Sequence, residues 1–207
     1  MDFIIFGCLA YLLGSIPTAV WVGKAWYGLD VREHGSKNAG ATNTFRVLGK
    51  KPGIIVLSID ILKGFFAVYL PVLILNNYEE ELIIQLKIFT AFIVVLGHVF
   101  PIFANFKGGK GVATSLGVIF GIHPMAASFC LVIFLIVFIA SNYVSLGAIF
   151  AAFAFPIVMK FIFLVNSIWL LSFSILLSLA VIFTHRKNII RLVNGEENKM
   201  RLFKSKS

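Results

Sequence analysis

The sequence has 207 residues, of which 59% are hydrophobic and 13% charged, with 18 Lys+Arg against 9 Asp+Glu for a net charge of +9. Soluble domains carry about 25% charged residues, so a mean hydropathy of +0.97 excludes an ordinary soluble core and leaves too little polar surface for a nucleic-acid protein. The composition predicts an all-α, polytopic membrane helix bundle, since each span needs about 20 apolar residues to cross roughly 30 Å of hydrocarbon.

Met1-Asp2 offers no basic leader, so no cleaved signal peptide is expected. The first apolar run predicts a span over about 3–27, kinked at Gly14-Ser15-Ile16-Pro17, where small residues also permit close packing. A polar stretch, 28–52, precedes a second span over about 53–75. That span carries Asp60 and Lys63, three residues apart and able to neutralise each other. Such intramembrane charges serve either as a structural pair or in direct contact with a substrate. An acidic turn at 76–81 leads to a third span over about 82–104, where His98 is expected to pack or cap beside the loops. The run from Val112 to Ala140 is either one tilted helix or two short ones, and Pro124 argues for a break at His123. Spans over about 145–165 and 167–184 and a basic tail, 185–207, complete a single domain, 1–207. Cys8 and Cys130 lie in apolar runs without metal or redox spacing and read as packing residues.

With the break at His123 there are seven transmembrane helices, and the loops at 28–52, 105–111, 141–144 and 185–207 fall on one side of the membrane. Three of those loops hold 14 of the 18 Lys+Arg, which marks that side as cytoplasmic. The expected topology is N-terminus outside and C-terminus cytoplasmic.

The cytoplasmic loops hold the candidate chemistry. In the first, Ser36, Asn38, Thr42 and Asn43 stand among small residues including Gly40, with Arg46 following. This is either an anion-binding nest of backbone N–H groups with an arginine fork or an ordinary Gly/Asn/Ser turn. In the second, Lys107, Gly108, Gly109, Lys110 and Gly111 precede a helix, a pattern that favours anion binding at the helix N-terminus; the Walker A spacing is absent. Ser145 is expected to cap the helix it opens, the alternative being a hydroxyl contributed to a site. In the tail, His185, Asn188 and Arg191 recur at helical spacing and share a broad face. His185 would transfer a proton or bind an anion there, and the alternative is a basic helix drawn to anionic lipid.

Taken in order, these strings resemble the bacterial membrane acyl-phosphate:glycerol-3-phosphate acyltransferase family over nearly the whole chain. The matching text is Gly14-Ser15-Ile16-Pro17, GSKNAGATN with Arg46, Asp60-Ile61-Leu62-Lys63-Gly64, GHVFPIF from Gly97, FKGGKGVAT from Phe106, and HRKNIIRL with Glu197. The resemblance implies transfer of a fatty acyl group from acyl phosphate to the 1-hydroxyl of glycerol 3-phosphate. The product would be lysophosphatidic acid, in the first step of phospholipid synthesis at the bacterial cell (inner) membrane. Carried over residue by residue, it makes Ser36, Arg46, His185 and Asn188 catalytic and gives Lys107 to Gly111, Ser145 and Glu197 to the substrates; Asn38, Gly40, Thr42 and Asn43 join the expected binding set. One departure is Lys37, where family members commonly place Gly or a small residue. No metal or cofactor is expected. The implied partners are acyl phosphate, glycerol 3-phosphate and membrane lipids, with other phospholipid-synthesis enzymes as further candidates and no nucleic acid.

An acyl phosphate is already activated, so the enzyme needs to position the hydroxyl and stabilise charge rather than form an acyl-enzyme. The proton would pass to His185 or to a substrate phosphate oxygen. A transporter would need polar residues along a path to both faces, whereas here they gather on one. A CDP-alcohol phosphotransferase would need clustered aspartates, and Asp occurs only at 2, 30 and 60.

Overall fold

Proline and glycine decide where the apolar runs break. The computed structural model describes residues 1–75 and 79–200, so Asn76, Asn77 and Tyr78 of the expected acidic turn, and residues 201–207 of the basic tail, lie outside the described residues. The described chain is helical throughout its regular structure and divides into two compact units, Met1–Pro124 and Met125–Ser207.

The first unit contains α1 (Asp2–Gly14), α2 (Thr18–Tyr27), α3 (Ala41–Leu48), α4 (Lys50–Ile74), α5 (Glu80–Val99) and α6 (Val112–Ile122). The expected kink falls between α1 and α2, where Pro17 is the residue that precedes α2. The polar stretch 28–52 is not irregular throughout, because Thr42, Asn43 and Arg46 lie on α3. α4 begins earlier than the expected residue 53. Pro52 is its third residue, where a helix has no use for the missing N–H.

Glycines set how closely these helices cross. A Cβ on Gly14 would strike the Val94 carbonyl, and one on Gly97 would sit 2.5 Å from the Tyr11 carbonyl, so α1 and α5 meet backbone to backbone. Gly64 against the Thr114 carbonyl, and Gly117 against that of Ile61, do the same for α4 and α6. In lipid, where burial of apolar surface gives little drive, close approach of small residues is what packs helices. These crossings carry residues of α2, α4, α5 and α6 to one buried point.

The second unit contains most of α7 (Pro124–Ser141), then α8 (Val144–Ile157), α9 (Ile168–Thr184) and α10 (Arg186–Val193). The break expected at His123 is present: His123 ends α6 in a non-helical conformation and α7 starts at Pro124. After Pro156 the chain runs through a π-helical turn, Val158–Ile162. Ser167 caps α9 by accepting from the Leu170 N–H at 3.5 Å. α9 and α10 meet at a 59° bend.

Five segments among the described residues are long and apolar enough to span a membrane: Asp2–Tyr27, Lys50–Ile74, Glu80–Ala104, Pro124–Ser141 and Val144–Ile162. The bent pair α9–α10 makes a sixth if it is one span. α6, with 11 residues, reaches about 16 Å at roughly 1.5 Å per residue, near half the hydrocarbon thickness.

Candidate active site

In the first unit the site is built on a buried polar floor. Lys63 Nζ lies 2.9 Å from Asp60 Oδ1, with both side chains under 5% exposed, and it donates to the Ile16 carbonyl at 2.9 Å. Thr18 Oγ1 donates to the same Asp60 oxygen at 3.2 Å. His98 Nδ1 stands 3.7 Å from it and 3.1 Å from Thr114 Oγ1. Three helices, α2, α4 and α5, thus meet at one carboxylate, and α6 joins them through Thr114 on His98. A buried ion pair is tolerable only when its remaining polar atoms are met, and the carbonyl freed at the α1–α2 break is one of the groups that meets them.

The second loop lies directly on this floor. The Gly108 N–H donates to the Val99 carbonyl at 3.1 Å and the Gly109 N–H to that of His98 at 3.2 Å, so the loop closes the end of α5. The free donors expected of the glycine run are therefore not these two. Glycine is needed there for approach: a Cβ on Gly108 would collide with the His98 carbonyl, and one on Gly109 with His98 Nε2. A small cleft lies where Thr18, Asp60, Lys63 and His98 meet the two glycines. Gly111, with a left-handed φ of 81°, turns the chain into α6, and Lys107 is exposed while Lys110 is half-buried. A cationic loop at the start of a helix suits a phosphate.

The first loop is held by Asn43. Buried on the first turn of α3, its side chain accepts from the Ser36 N–H at 2.8 Å and donates to the carbonyls of Val31 at 2.8 Å and His34 at 3.1 Å. That amide spends its hydrogen bonds on the loop itself. Ser36, Asn38, Gly40 and Thr42 are half-buried beside it, and Arg46 is exposed on the last turn of α3. The two loops meet at Gly109, whose Cβ would lie 3.2 Å from the Ala39 carbonyl. Lys37, the departure from the family pattern, has a φ of 58°, a region a glycine enters without cost.

Sequence reasoning missed the charged pair that ties these loops. Arg32 donates to Asp30 through Nε and Nη2 and reaches across to the Ala104 carbonyl at 2.8 Å. Hydrogen bonding from Arg32 holds the Asp30 carboxyl down at about 2, and the same bond raises the Arg32 guanidinium above its ordinary value. Only the Asp-x-Arg spacing hinted at it.

In the second unit the organiser is Glu197. Its Oε1 accepts from Ser145 Oγ at 2.9 Å and from Asn188 Nδ2 at 2.7 Å, and its Oε2 pairs with Arg191 Nε at 2.9 Å. The carboxylate is 7% exposed. Ser145 therefore does not cap α8, because its hydroxyl is committed to a residue 52 positions away. His185, buried at the α9–α10 bend, places Nδ1 2.8 Å from the Val181 carbonyl. A carbonyl can only accept, so Nδ1 carries a proton and the Val181 carbonyl fixes the orientation of the ring. His185 is the residue that precedes α10, and Asn188 lies on the first turn of that helix, its N–H on the His185 carbonyl at 2.8 Å.

No cluster of three or more His, Cys, Asp or Glu suited to a metal occurs among the described residues.

Comparison with known proteins then decides the family. The family model described as "Glycerol-3-phosphate acyltransferase" matches residues 4–195. The chain belongs to the glycerol-3-phosphate acyltransferase family. A glycerol-3-phosphate acyltransferase of Fusobacterium nucleatum subsp. nucleatum is 44% identical over 201 residues, covering 97% of this chain and 100% of that protein. One from Chlorobaculum tepidum is 42% identical, covering 93% and 94%. Among solved structures, the chain is similar to the integral membrane glycerol 3-phosphate acyltransferase PlsY in its glycerol 3-phosphate form. The TM-score is 0.86 at 38% identity, covering 97% of this chain and 96% of that one. The lysophosphatidic acid form gives 0.83 at 37%, with the same coverage. Like that family's solved member, this is a multi-pass membrane protein.

Proposed function

We propose that this chain transfers a fatty acyl group from acyl phosphate to the 1-hydroxyl of glycerol 3-phosphate, giving lysophosphatidic acid. The observation that carries the reading is the cationic glycine loop laid on a buried floor, in a chain whose 38% identical structural relative was solved in a glycerol 3-phosphate form. Acyl phosphate rests on the ordered motifs of the sequence and on the chemistry below.

Both substrates are anions. Lys107, Lys110 and the start of α6 bind the glycerol phosphate, and Ser36 and Arg46 act on the acyl phosphate, with Asn38, Gly40 and Thr42 lining the first loop. Asn43 shapes that loop through its backbone bonds. The hydroxyl oxygen attacks the acyl carbon, the carbon–oxygen bond to phosphate breaks, and inorganic phosphate leaves. The hydroxyl proton goes to a substrate phosphate oxygen or to His185, whose ring is oriented by the Val181 carbonyl. Glu197 keeps Asn188 and Ser145 in register. Positioning and charge stabilisation supply the rate, since an acyl phosphate is already activated.

The whole chain, 1–207, works as one acyltransferase of seven transmembrane helices in a bacterial cytoplasmic membrane, N-terminus outside. α6 is the short seventh, and the charge bias supports a cytoplasmic side for loops 28–52, 105–111 and 185–207. Membrane lipids surround it, and neighbouring phospholipid-synthesis enzymes are candidate partners.

Purified protein supplied with glycerol 3-phosphate and, separately, acyl phosphate, acyl-CoA or acyl-carrier protein tests this. Lysophosphatidic acid is expected from acyl phosphate. Product from acyl-CoA alone would overturn the donor, and none from any donor would overturn the reaction.

A further inference from the structure

The turn that leads into the second loop uses backbone that L-residues adopt reluctantly. Asn105 and Phe106, side by side, have φ of 54° and 57°. Asparagine tolerates that region, but a bulky aromatic does not. Such strain persists only where the surroundings over-determine it. Locally the turn has the Phe106 N–H on the Pro101 carbonyl at 2.9 Å and the Lys107 N–H on that of Ala104 at 3.2 Å.

A further hold arrives from the first loop. Arg32 Nη1 donates to the Ala104 carbonyl at 2.8 Å and reaches that of Lys107 at 3.4 Å, the two carbonyls that flank the strained pair. The guanidinium is itself fixed from behind: Nε lies 3.0 and 3.2 Å from the two Asp30 oxygens, and Nη2 lies 2.7 Å from Oδ2. Asp30 is anchored in turn by the Arg32 N–H at 3.0 Å. The pair is sheltered, with side chains 20% and 10% exposed.

We propose that Arg32 is a positioning residue for the phosphate-binding loop: aligned by Asp30, it brackets the Asn105–Phe106 turn and fixes the direction in which Lys107 leaves the chain. This rests on the reading of Lys107 to Gly111 as the glycerol phosphate loop. Arg32 touches no substrate in this scheme. It makes the two loops assemble as one object, so that neither is formed without the other. The task demands a planar fork with several donors, which a lysine does not supply.

The test is steady-state kinetics on purified Arg32→Gln, Arg32→Lys and Asp30→Asn beside the wild type, with thermal unfolding of each. Arg32→Gln is expected to raise KM for glycerol 3-phosphate by about tenfold, with kcat and KM for acyl phosphate within about twofold. Arg32→Lys should share most of the defect, Asp30→Asn should show a smaller shift in the same direction, and added methylguanidinium should lower the raised KM of Arg32→Gln. An unchanged KM in Arg32→Gln would overturn the proposal. So would full recovery in Arg32→Lys, or losses in kcat and both KM values that simply follow lowered thermal stability. A wild type that makes no lysophosphatidic acid from any donor would instead remove the functional reading beneath it.

Discussion

Replacing Gly108 with alanine is expected to raise KM for glycerol 3-phosphate by about 30-fold while changing kcat little. The added Cβ would land on the His98 carbonyl, 2.6 Å from Pro101 Cδ and 2.7 Å from the Val99 carbonyl. Two of those obstacles are main chain at the end of α5 and the third is a rigid ring, so the loop must move and the wall will not. Ordinary contact begins near 3.4 Å, which calls for a lift of roughly 1 Å, a displacement of the size that upsets a positioned site. The lift breaks the bonds from Gly108 to Val99 and from Gly109 to His98, 3.1 and 3.2 Å long. At about 1 kcal/mol each the loss is about 2 kcal/mol, or about 30-fold in binding. Initial rates over a glycerol 3-phosphate titration, at saturating acyl phosphate, separate KM from kcat. Gly28→Ala is the control, because Gly28 has a φ of 66° but no atom within 4 Å of its Cβ. It should lose local stability and keep its KM. A Gly108→Ala KM within twofold of wild type, or an equal rise in Gly28→Ala, would refute the reasoning.

Three other outcomes follow from the geometry. Glu197→Gln leaves one acceptor where Ser145, Asn188 and Arg191 now share two; thermal stability should fall and kcat drop at least about tenfold, and an unchanged kcat would count against the keystone role. Asp60→Asn or Lys63→Met alone strands a buried charge and should destabilise by about 3–5 kcal/mol. The double variant should melt above either single one, and a strictly additive loss would refute the pairing. Lys37→Gly relieves the left-handed φ of 58° and should stabilise the protein by about 1 kcal/mol with activity retained, so a lowered melting temperature would contradict it.

The sequence disclosed those features whose cause is local. The breaks at Gly14–Pro17 and His123–Pro124 were legible because proline and glycine act on their immediate neighbours. Asp60 and Lys63 stood out as charges in an apolar run, but their neighbours Thr18 and His98, with Thr114 behind His98, did not. Those depend on how α2, α5 and α6 cross α4, which spacing along one helix cannot report. The same gap explains Ser145, expected as a cap on local grounds and found on Glu197. Gly108 and Gly109 stand out in the sequence as backbone with free donors, yet their N–H groups close the end of α5, and their use as a close-approach surface appears only once α5 lies behind them. Asp30 and Arg32 resembled ordinary loop charges because their target, the Ala104 carbonyl, is 72 residues away.

The Asp60–Lys63 pair also bears on how the protein reaches its membrane. Both charges sit on one helix, three residues apart and 2.9 Å from each other. The segment therefore carries its own counter-ion when it leaves the ribosome and enters lipid as a nearly neutral dipole. Had the partner cation been on α5 or α6, α4 would have had to wait for a later segment before settling in the bilayer, at a cost of a few kcal/mol for the unmatched charge. Placing both on one span separates insertion, which that helix can accomplish alone, from assembly. During assembly Thr18, His98 and the Ile16 carbonyl arrive around a charge pair already in place.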